Sequence, residues 1–353
     1  MTAYHHVSDP ALVREVLRRA EDFGPGNALT AVEPLAPAAR RVLARSGFAL
    51  PPVLASATGQ LHRTVRGVVA RFFSPARVAA REESVRSLTR QVLDRELPAG
   101  TGDLALVTRT VPAAALAPLI GVDPARLPPG EQLHRWSLDG LVLFWGRPGP
   151  EHQVELAHSA AAFSSWLAGL VEDTRRDPAT VFGALGAAGI DVVRLRSLAF
   201  FLLIAGQTTT GLLVNTVLHR ALAEPAAWRA AAAGADALVA EALAEDSSVP
   251  TWRRSCPADT ELDGRTVPAG TELLLHLSGH GGGAGLAFGH GLHRCLGAQL
   301  ARSESAWMVE EIARAVPHAR SGGAGPRLEL LSFSAPLTVP IETPAGSARR
   351  PAP

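Results

Sequence analysis

Cys295 stands in the run Phe288-Gly289-His290-Gly291-Leu292-His293-Arg294-Cys295-Leu296-Gly297, where nearly every neighbour constrains the backbone around one sulfur. A cysteine fixed in this way is suited to hold a metal, because the thiolate is the ligating form and its position must be set by the chain. Gly289 and Gly291 permit the positive-φ backbone that a short hairpin beside a large flat ligand requires. Phe288 can pack beside the sulfur, and Gly297 removes a Cβ from the approach. The helix expected over residues 297–316 points its first N–H groups, near Leu300 and Ala301, toward the sulfur, and such donors stabilise an anion.

Two other readings of this cysteine are weaker. An unpaired Cys among apolar residues is commonly a small buried hydrophobe, but the density of constrained neighbours favours a ligand. His280, His290, His293 and Cys295 could be counted as a zinc set, yet their spacing fits no common zinc pattern and the chain has no Cys-x-x-Cys pair. The glycine-rich run at 281–285 lacks a following Lys-Ser or Lys-Thr, so it is not a phosphate loop.

The elements that must position this loop are mainly helical. Apolar residues recur at three and four spacing over 10–20, 61–73, 84–97, 152–175, 192–223 and 297–316. Strand signals are confined to 260–267, 271–277 and 328–341. The stretch 23–57, with Pro34, Pro37, Pro51 and Pro52, reads as a long irregular segment of the kind that carries function or moves. Residues 197–218 are uncharged, but Gln207, Thr208, Thr209, Thr210, Asn215 and Thr216 interrupt the apolar run, so a buried helix is expected rather than a membrane span.

Composition narrows the class further. With 353 residues, 47% of them hydrophobic, the chain can bury a core large enough to wall off a bulky apolar cofactor. No Pro/Ser-rich linker or charge run divides it, which predicts one large domain. A net charge of +1 argues against nucleic acid as a partner. Two cysteines are too few for a disulfide framework, and no basic segment followed by an apolar run opens the chain, so a reducing, cytoplasmic location is expected.

The pattern Phe-x-x-Gly-x-His-x-Cys-x-Gly, continued by Ala298-Gln299-Leu300-Ala301-Arg302, resembles the heme-binding loop of the cytochrome P450 family, with every signature position filled. The resemblance covers nearly the whole chain, starting at His5-His6-Val7-Ser8-Asp9-Pro10, which is similar to the strand and helix after the family's first helix. It implies a P450-like fold, mainly α with small β-sheets, forming a single domain over residues 1–353, shortened at the N-terminus and before the Cys loop. It also implies heme b with Cys295 as the axial iron ligand, and a loop shaped by Phe288, Gly289 and Gly297. A heme needs its propionates neutralised, and four residues match the family's positions for that task. His62 and Arg66 match a His-x-x-x-Arg pair on one helical face, Arg254 lies on the strand after the family's Glu-x-x-Arg helix, and His293 precedes the cysteine by two.

Ala205-Gly206-Gln207-Thr208-Thr209-Thr210 is similar to the family's Ala-Gly-x-Glu/Asp-Thr-Thr over the distal heme face. There Ala205 and Gly206 would leave room for dioxygen, and Thr209, with its neighbour Thr208, would serve proton delivery. A bland alternative is that these hydroxyls bond carbonyls four residues back on a buried helix.

The pattern is broken in three places. Thr208 stands where the family has an acid. Glu241 is followed by Ala244 where the family has Glu-x-x-Arg, and the segment from His276 to Phe288 lacks the Asn-Arg-Asp-Pro stretch and the meander with a second Arg. A buried charge left unpaired would cost about 3 to 5 kcal/mol, so Glu241 is expected to be exposed or paired anew.

The resemblance implies a bacterial heme-thiolate monooxygenase that tailors a specialised metabolite such as an antibiotic, using ferredoxin and ferredoxin reductase. Its substrate would be an apolar or large small molecule, with no nucleic-acid or membrane partner. One alternative keeps the heme but runs a peroxide-dependent, isomerising, dehydrating or bond-forming reaction. Another is a heme-less auxiliary protein that stabilises a glycosyltransferase.

Overall fold

The computed structural model describes residues 4–98, 101–279 and 285–343. Strand β1 (His5–Val7) leads at once into helix α1 (Pro10–Arg18), whose start is set by Asp9. The Asp9 carboxylate accepts the N–H groups of Ala11 and Leu12 at 2.8 and 2.9 Å, and Pro10 occupies the first turn. Helix α2 (Pro37–Arg45) lies inside the stretch expected to be irregular: Pro37 opens a helix at its first position instead of breaking one.

Helices α3 (Gly59–Phe72), α4 (Pro75–Ala79) and α5 (Glu82–Glu96) follow, then β2 (Gly102–Asp103) and α6 (Ala105–Thr108). Next come α7 (Val111–Leu119), α8 (Gly130–Trp145), α9 (Pro150–Thr174) and α10 (Val181–Ala187). Helices α11 (Val192–Leu203) and α12 (Thr209–Ala223) form one continuous run, begun by an Asp191 side chain that accepts the Arg194 N–H at 2.9 Å. Between them the residues Ile204–Thr208 form a π turn, which the periodicity did not predict. The run Val192–Ala223 is long and apolar enough to cross a membrane, but 78% of its most apolar window is buried within the protein, as expected of a core helix.

Helices α13 (Pro225–Ala231) and α14 (Asp236–Glu245) precede the strands β3 (Thr251–Ser255), β4 (Thr260–Leu262), β5 (Arg265–Val267) and β6 (Glu272–His276). Helix α15 (Ala298–Ala315) and strands β7 (Arg320–Ser321), β8 (Arg327–Glu329), β9 (Ser334–Pro336) and β10 (Pro340–Glu342) complete the order. Strand β6 is central in a sheet ordered β1-β6-β3, parallel to β1 and antiparallel to β3. The β4–β5 hairpin turns through Asp263 and Gly264, both at positive φ (52° and 67°), the backbone that matches strand twist in a two-residue turn.

The long run through α11 and α12 joins two apolar cores. Leu195, Leu198, Phe200, Leu203 and Ile204 pack with residues of α3, α7, α8 and α9. Beyond the π turn, Leu213, Val214, Val217 and Leu218 pack instead with α5, α13, α14 and α15. Asn215 ties this second half to its surroundings, accepting from Thr108 at 2.8 Å and donating to the Pro336 carbonyl at 2.9 Å.

Candidate active site

The thiol of Cys295 opens into a cavity of about 250 Å3 between its own loop and the π turn. The Cys295 N–H donates to the Phe288 carbonyl at 2.8 Å and the Gly289 N–H to Leu286 at 2.7 Å, which closes the loop into a tight hairpin. Gly289 and Gly291 hold φ values of 68° and 66°. At Gly291 a Cβ would also come within 2.8 Å of the Leu17 carbonyl, so this glycine lets the loop lie against the end of α1. Phe288 lies on the cavity wall beneath the Arg302 guanidinium, 5.0 Å from its ring centre. Burial pushes the Cys295 thiol up from its ordinary value, whereas the Gly297 N–H and the charges of Arg66 and Arg294 favour the thiolate.

Arg66, Arg254 and His293 lie on the wall beside the cysteine. Arg254 is buried, at 1% exposure, and its Nη1 donates to the Arg253 carbonyl at 2.8 Å, while its Nε has no partner among the described residues. Burial depresses its guanidinium to about 10. Arg66 donates to the Arg294 carbonyl at 2.8 Å. His293 shares a 2.8 Å hydrogen bond with the Ala57 carbonyl through Nε2, and its Nδ1 is buried without a partner among the described residues. Nε2 donates to that carbonyl, so in the neutral ring Nδ1 is an acceptor; the orphaned donor on this wall is the Arg254 Nε–H, and its burial without an anion is costly. An anionic group in this cavity would satisfy Arg254 and favour a proton on His293, so the wall fits the propionates of a heme. His62 is placed differently from the sequence expectation. It is fully buried, packs behind His293 and does not line the cavity.

Across the cavity stand Ala205, Gly206 and Thr209. The Thr209 hydroxyl donates to the Ala205 carbonyl and the Thr210 hydroxyl to Gly206 at 3.0 Å, so the side chains supply bonds where the π turn disturbs the α ladder. A Cβ on Gly206 would come within 2.7 Å of the Leu116 side chain, so the glycine admits Leu116 to the wall. The Thr209 carbonyl in turn accepts from Ser248 at 3.0 Å, which binds the turn to the segment before β3.

Thr208 faces elsewhere. With Gln207, Thr108, His134, Gly211, Leu212 and Asn215 it lines a second cavity of about 10 Å3 on another side of the helix. The Thr208 hydroxyl and both ends of the Gln207 amide are buried there without a partner among the described residues. His134 and this small polar cavity carried no signal in the sequence, because α8 reaches the π turn only through the fold. Arg294 and Leu116 were also missed; only Arg294 had a local cue, its charge beside the cysteine.

The remainder of the main wall is apolar. It includes Leu29, Leu50 and Leu54 from the 23–57 segment and Trp145, Phe200, Phe201, Trp252 and Phe333 from elsewhere. Glu241 is exposed and paired with Arg220, which also reaches Glu245 at 2.7 Å, so the missing Arg leaves no buried charge at that position. Among the described residues no group of three His, Cys, Asp or Glu side chains is placed to hold a metal. His280 and residues 281–284 lie outside the described residues.

No protein-family profile matches the chain. Individual relatives do. The chain is similar to the erythromycin C-12 hydroxylase of Saccharopolyspora erythraea, with 28% identity over 284 residues that span 71% of this chain and 70% of the relative. It is also similar to the cytochrome P450 monooxygenase PikC of Streptomyces venezuelae, with 28% identity across 72% of this chain and 67% of the relative. Among solved structures, an intact type IV self-sufficient cytochrome P450 monooxygenase superposes with a TM-score of 0.87 at 29% identity, covering 98% of this chain and 49% of that one.

Proposed function

The chain belongs to the cytochrome P450 family, and on that premise we propose that it is a heme-thiolate monooxygenase acting on a small, apolar molecule of specialised metabolism. The relatives act on small molecules and use heme held by an axial cysteine. The observation that carries the reading is the opposition of the Cys295 thiol and the Ala205–Gly206–Thr209 face across one apolar cavity, on whose wall the buried Arg254 keeps an Nε without a partner among the described residues.

Heme, when bound, supplies the iron that activates dioxygen for insertion of one oxygen atom into a carbon–hydrogen bond. Cys295 would hold its iron through the thiolate, with the Gly297 N–H moderating the sulfur's charge. Arg66, Arg254 and His293 would hold the propionates, with His62 bracing His293 from behind. Phe288, Gly289 and Gly297, which line the cavity, would let the loop lie against the flat cofactor. Thr209 holds a hydroxyl at the distal wall, and Gly206 and Ala205 leave space beside it. The leucines of the 23–57 segment and the aromatic wall exclude water and orient an apolar substrate.

This reading takes residues 1–353 as one catalytic domain working in the cytoplasm, with electrons from ferredoxin and ferredoxin reductase. The missing distal acid favours one second reading, a peroxide-using reaction on the same heme. A heme-less auxiliary role is disfavoured by a cysteine open to the cavity and by the buried Arg254, whose Nε has no partner among the described residues. The test is the carbon monoxide spectrum of the reduced, heme-supplied protein. The red-shifted Soret band of thiolate ligation is expected, and Cys295→Ala should lose it while retaining the fold. Its absence from the unaltered protein rejects the proposal. Comparing turnover with ferredoxin and oxygen against turnover with peroxide separates the first reading from the second.

A further inference from the structure

We propose that Ser247 selects the substrate: it donates its hydroxyl proton to one neutral oxygen of an uncharged aromatic molecule whose ring lies against Trp145, Trp252 and Phe333. The inference rests on the monooxygenase reading and names a substrate class for it.

The hydroxyl groups on the main cavity's wall are committed with one exception. A serine or threonine hydroxyl has one proton to donate. Thr209 donates to the Ala205 carbonyl, Thr210 to the Gly206 carbonyl and Ser248 to the Thr209 carbonyl. Ser247 is 2% exposed, lines the same cavity and accepts the Val249 N–H at 3.3 Å, but its own proton has no acceptor among the described residues. An oxygen on the substrate completes this hydroxyl, and a compound lacking that oxygen leaves it unpaired.

The charges on the wall define what else the substrate lacks. Among the described residues no Asp or Glu lines the cavity, so an ammonium group would lose its water and meet no carboxylate. The basic side chains on the wall, Arg66, Arg254, His293 and Arg294, belong to the end beside Cys295. There they fit the propionates of a heme, which leaves no basic partner for a carboxylate on the substrate. A neutral molecule is the one that this wall accommodates without an unpaired charge.

The aromatic part follows from how the wall is assembled. The turn at 330–334 donates its Leu331 N–H to the Trp145 carbonyl at 3.1 Å and its Ser334 N–H to the Ser248 carbonyl at 3.2 Å, while the Leu331 carbonyl accepts from Thr251 at 2.6 Å. These bonds draw Phe333, the end of α8 and the Ser247–Trp252 segment together. The Phe333 ring stands edge-on to Trp145 and Trp252, with centres 5.2 and 6.3 Å away and planes at 85° and 82°. The indoles of Trp145 and Trp252 lie 6.5 Å apart, inclined at 32°. Arg253, which is not on the wall, lies over Trp145 at 5.8 Å and donates to the Thr30 carbonyl at 2.7 Å, fixing the indole from outside the cavity. Such a corner offers ring faces and edges to an entering ring, the arrangement that aromatic pairs prefer.

The test is binding to heme-loaded protein, measured by equilibrium dialysis so that no turnover is needed. Acetylnaphthalene carries the neutral oxygen and ethylnaphthalene lacks it. The ratio of their affinities should fall about fivefold in Ser247→Ala and be retained in Ser247→Thr, which keeps a hydroxyl. A purely structural loss would weaken both compounds alike, so an unchanged ratio in Ser247→Ala, or an equal fall in Ser247→Thr, overturns the role of Ser247. Naphthoate and a quaternary naphthylmethylammonium should each bind at least about tenfold more weakly than acetylnaphthalene. Comparable binding of either ion overturns the neutral class. Trp252→Leu should weaken acetylnaphthalene about threefold or more and its saturated counterpart, acetyldecalin, less than about twofold. Equal losses overturn the aromatic contact. Failure of the underlying reading is distinguishable, because the unaltered protein would then lack the thiolate spectrum, whereas failure of this proposal leaves that spectrum intact.

Discussion

His62 and His293 lie with ring centres 4.5 Å apart and planes inclined at 53°, yet only His293 reaches the cavity. Both His62 nitrogens are buried without a partner among the described residues. Burial, then Arg66 and Arg63, lowers its pKa, so the ring is neutral. His62→Phe keeps the packing and removes the orphaned nitrogens. Heme-free protein carrying it is expected to be more stable by about 1 kcal/mol in thermal melts. The same variant should release heme faster to apomyoglobin if His62 helps hold it, and an unchanged release rate would assign the ring a packing role alone.

Gly289 and Gly291 separate conformational strain from steric conflict within one loop. Both sit at positive φ, but the nearest obstacle to a Cβ is 3.9 Å away at Gly289 and 2.8 Å away at Gly291, where it is the Leu17 backbone. Gly289→Ala should cost about 1 to 2 kcal/mol, from φ alone. Gly291→Ala adds overpacking and should cost roughly 3 kcal/mol or more, with weaker heme retention because the loop is pushed off α1. Denaturant midpoints for the two variants measure the difference directly.

Glu241 occupies the position where the family's motif begins, but its side chain is 54% exposed beside Arg220. Exposed pairs contribute little, so Glu241→Gln should cost less than about 1 kcal/mol. A loss of several kcal/mol on urea unfolding would mean that this carboxylate still braces the loop.

Glu304 is the converse case: a fully buried carboxyl on α15 with neither oxygen partnered among the described residues. Burial raises its pKa well above the ordinary carboxylate value, so the folded protein keeps a proton that the unfolded chain gives up. Stability from this group is therefore complete below the unfolded pKa, near 4.5, and declines as pH rises toward the folded value. Glu304→Gln should be more stable than the parent, with a gap that widens from pH 5 upward. Melting curves across that range that stayed parallel would contradict the assignment.

The features legible in the sequence are those written in local spacing. The cysteine loop, the Ala205–Thr210 patch and the His62/Arg66 pair are short-range patterns, and the amphipathic helices α1, α3 and α5 show their periodicity directly. Helix α7 was not foreseen because Val-Pro-Ala-Ala-Ala-Leu-Ala-Pro-Leu is apolar on every side and buried at every position but Ala114 and Pro118, which leaves no periodic stripe to read. The π turn has no residue signature either; it becomes visible only as hydrogen bonds. His134 joins the site from a different helix, and the inward position of His62 depends on the packing of His293 above it. Both are products of tertiary placement, which local spacing does not encode.

The division of the long helix between two cores has a mechanical consequence. Residues before the π turn pack into one core and, from Leu213 onward, those after it pack into the other, although no linker separates them in the chain. The turn is therefore the place where two separately packed cores share one element, and Ala205 and Gly206 of the main cavity's wall lie on it.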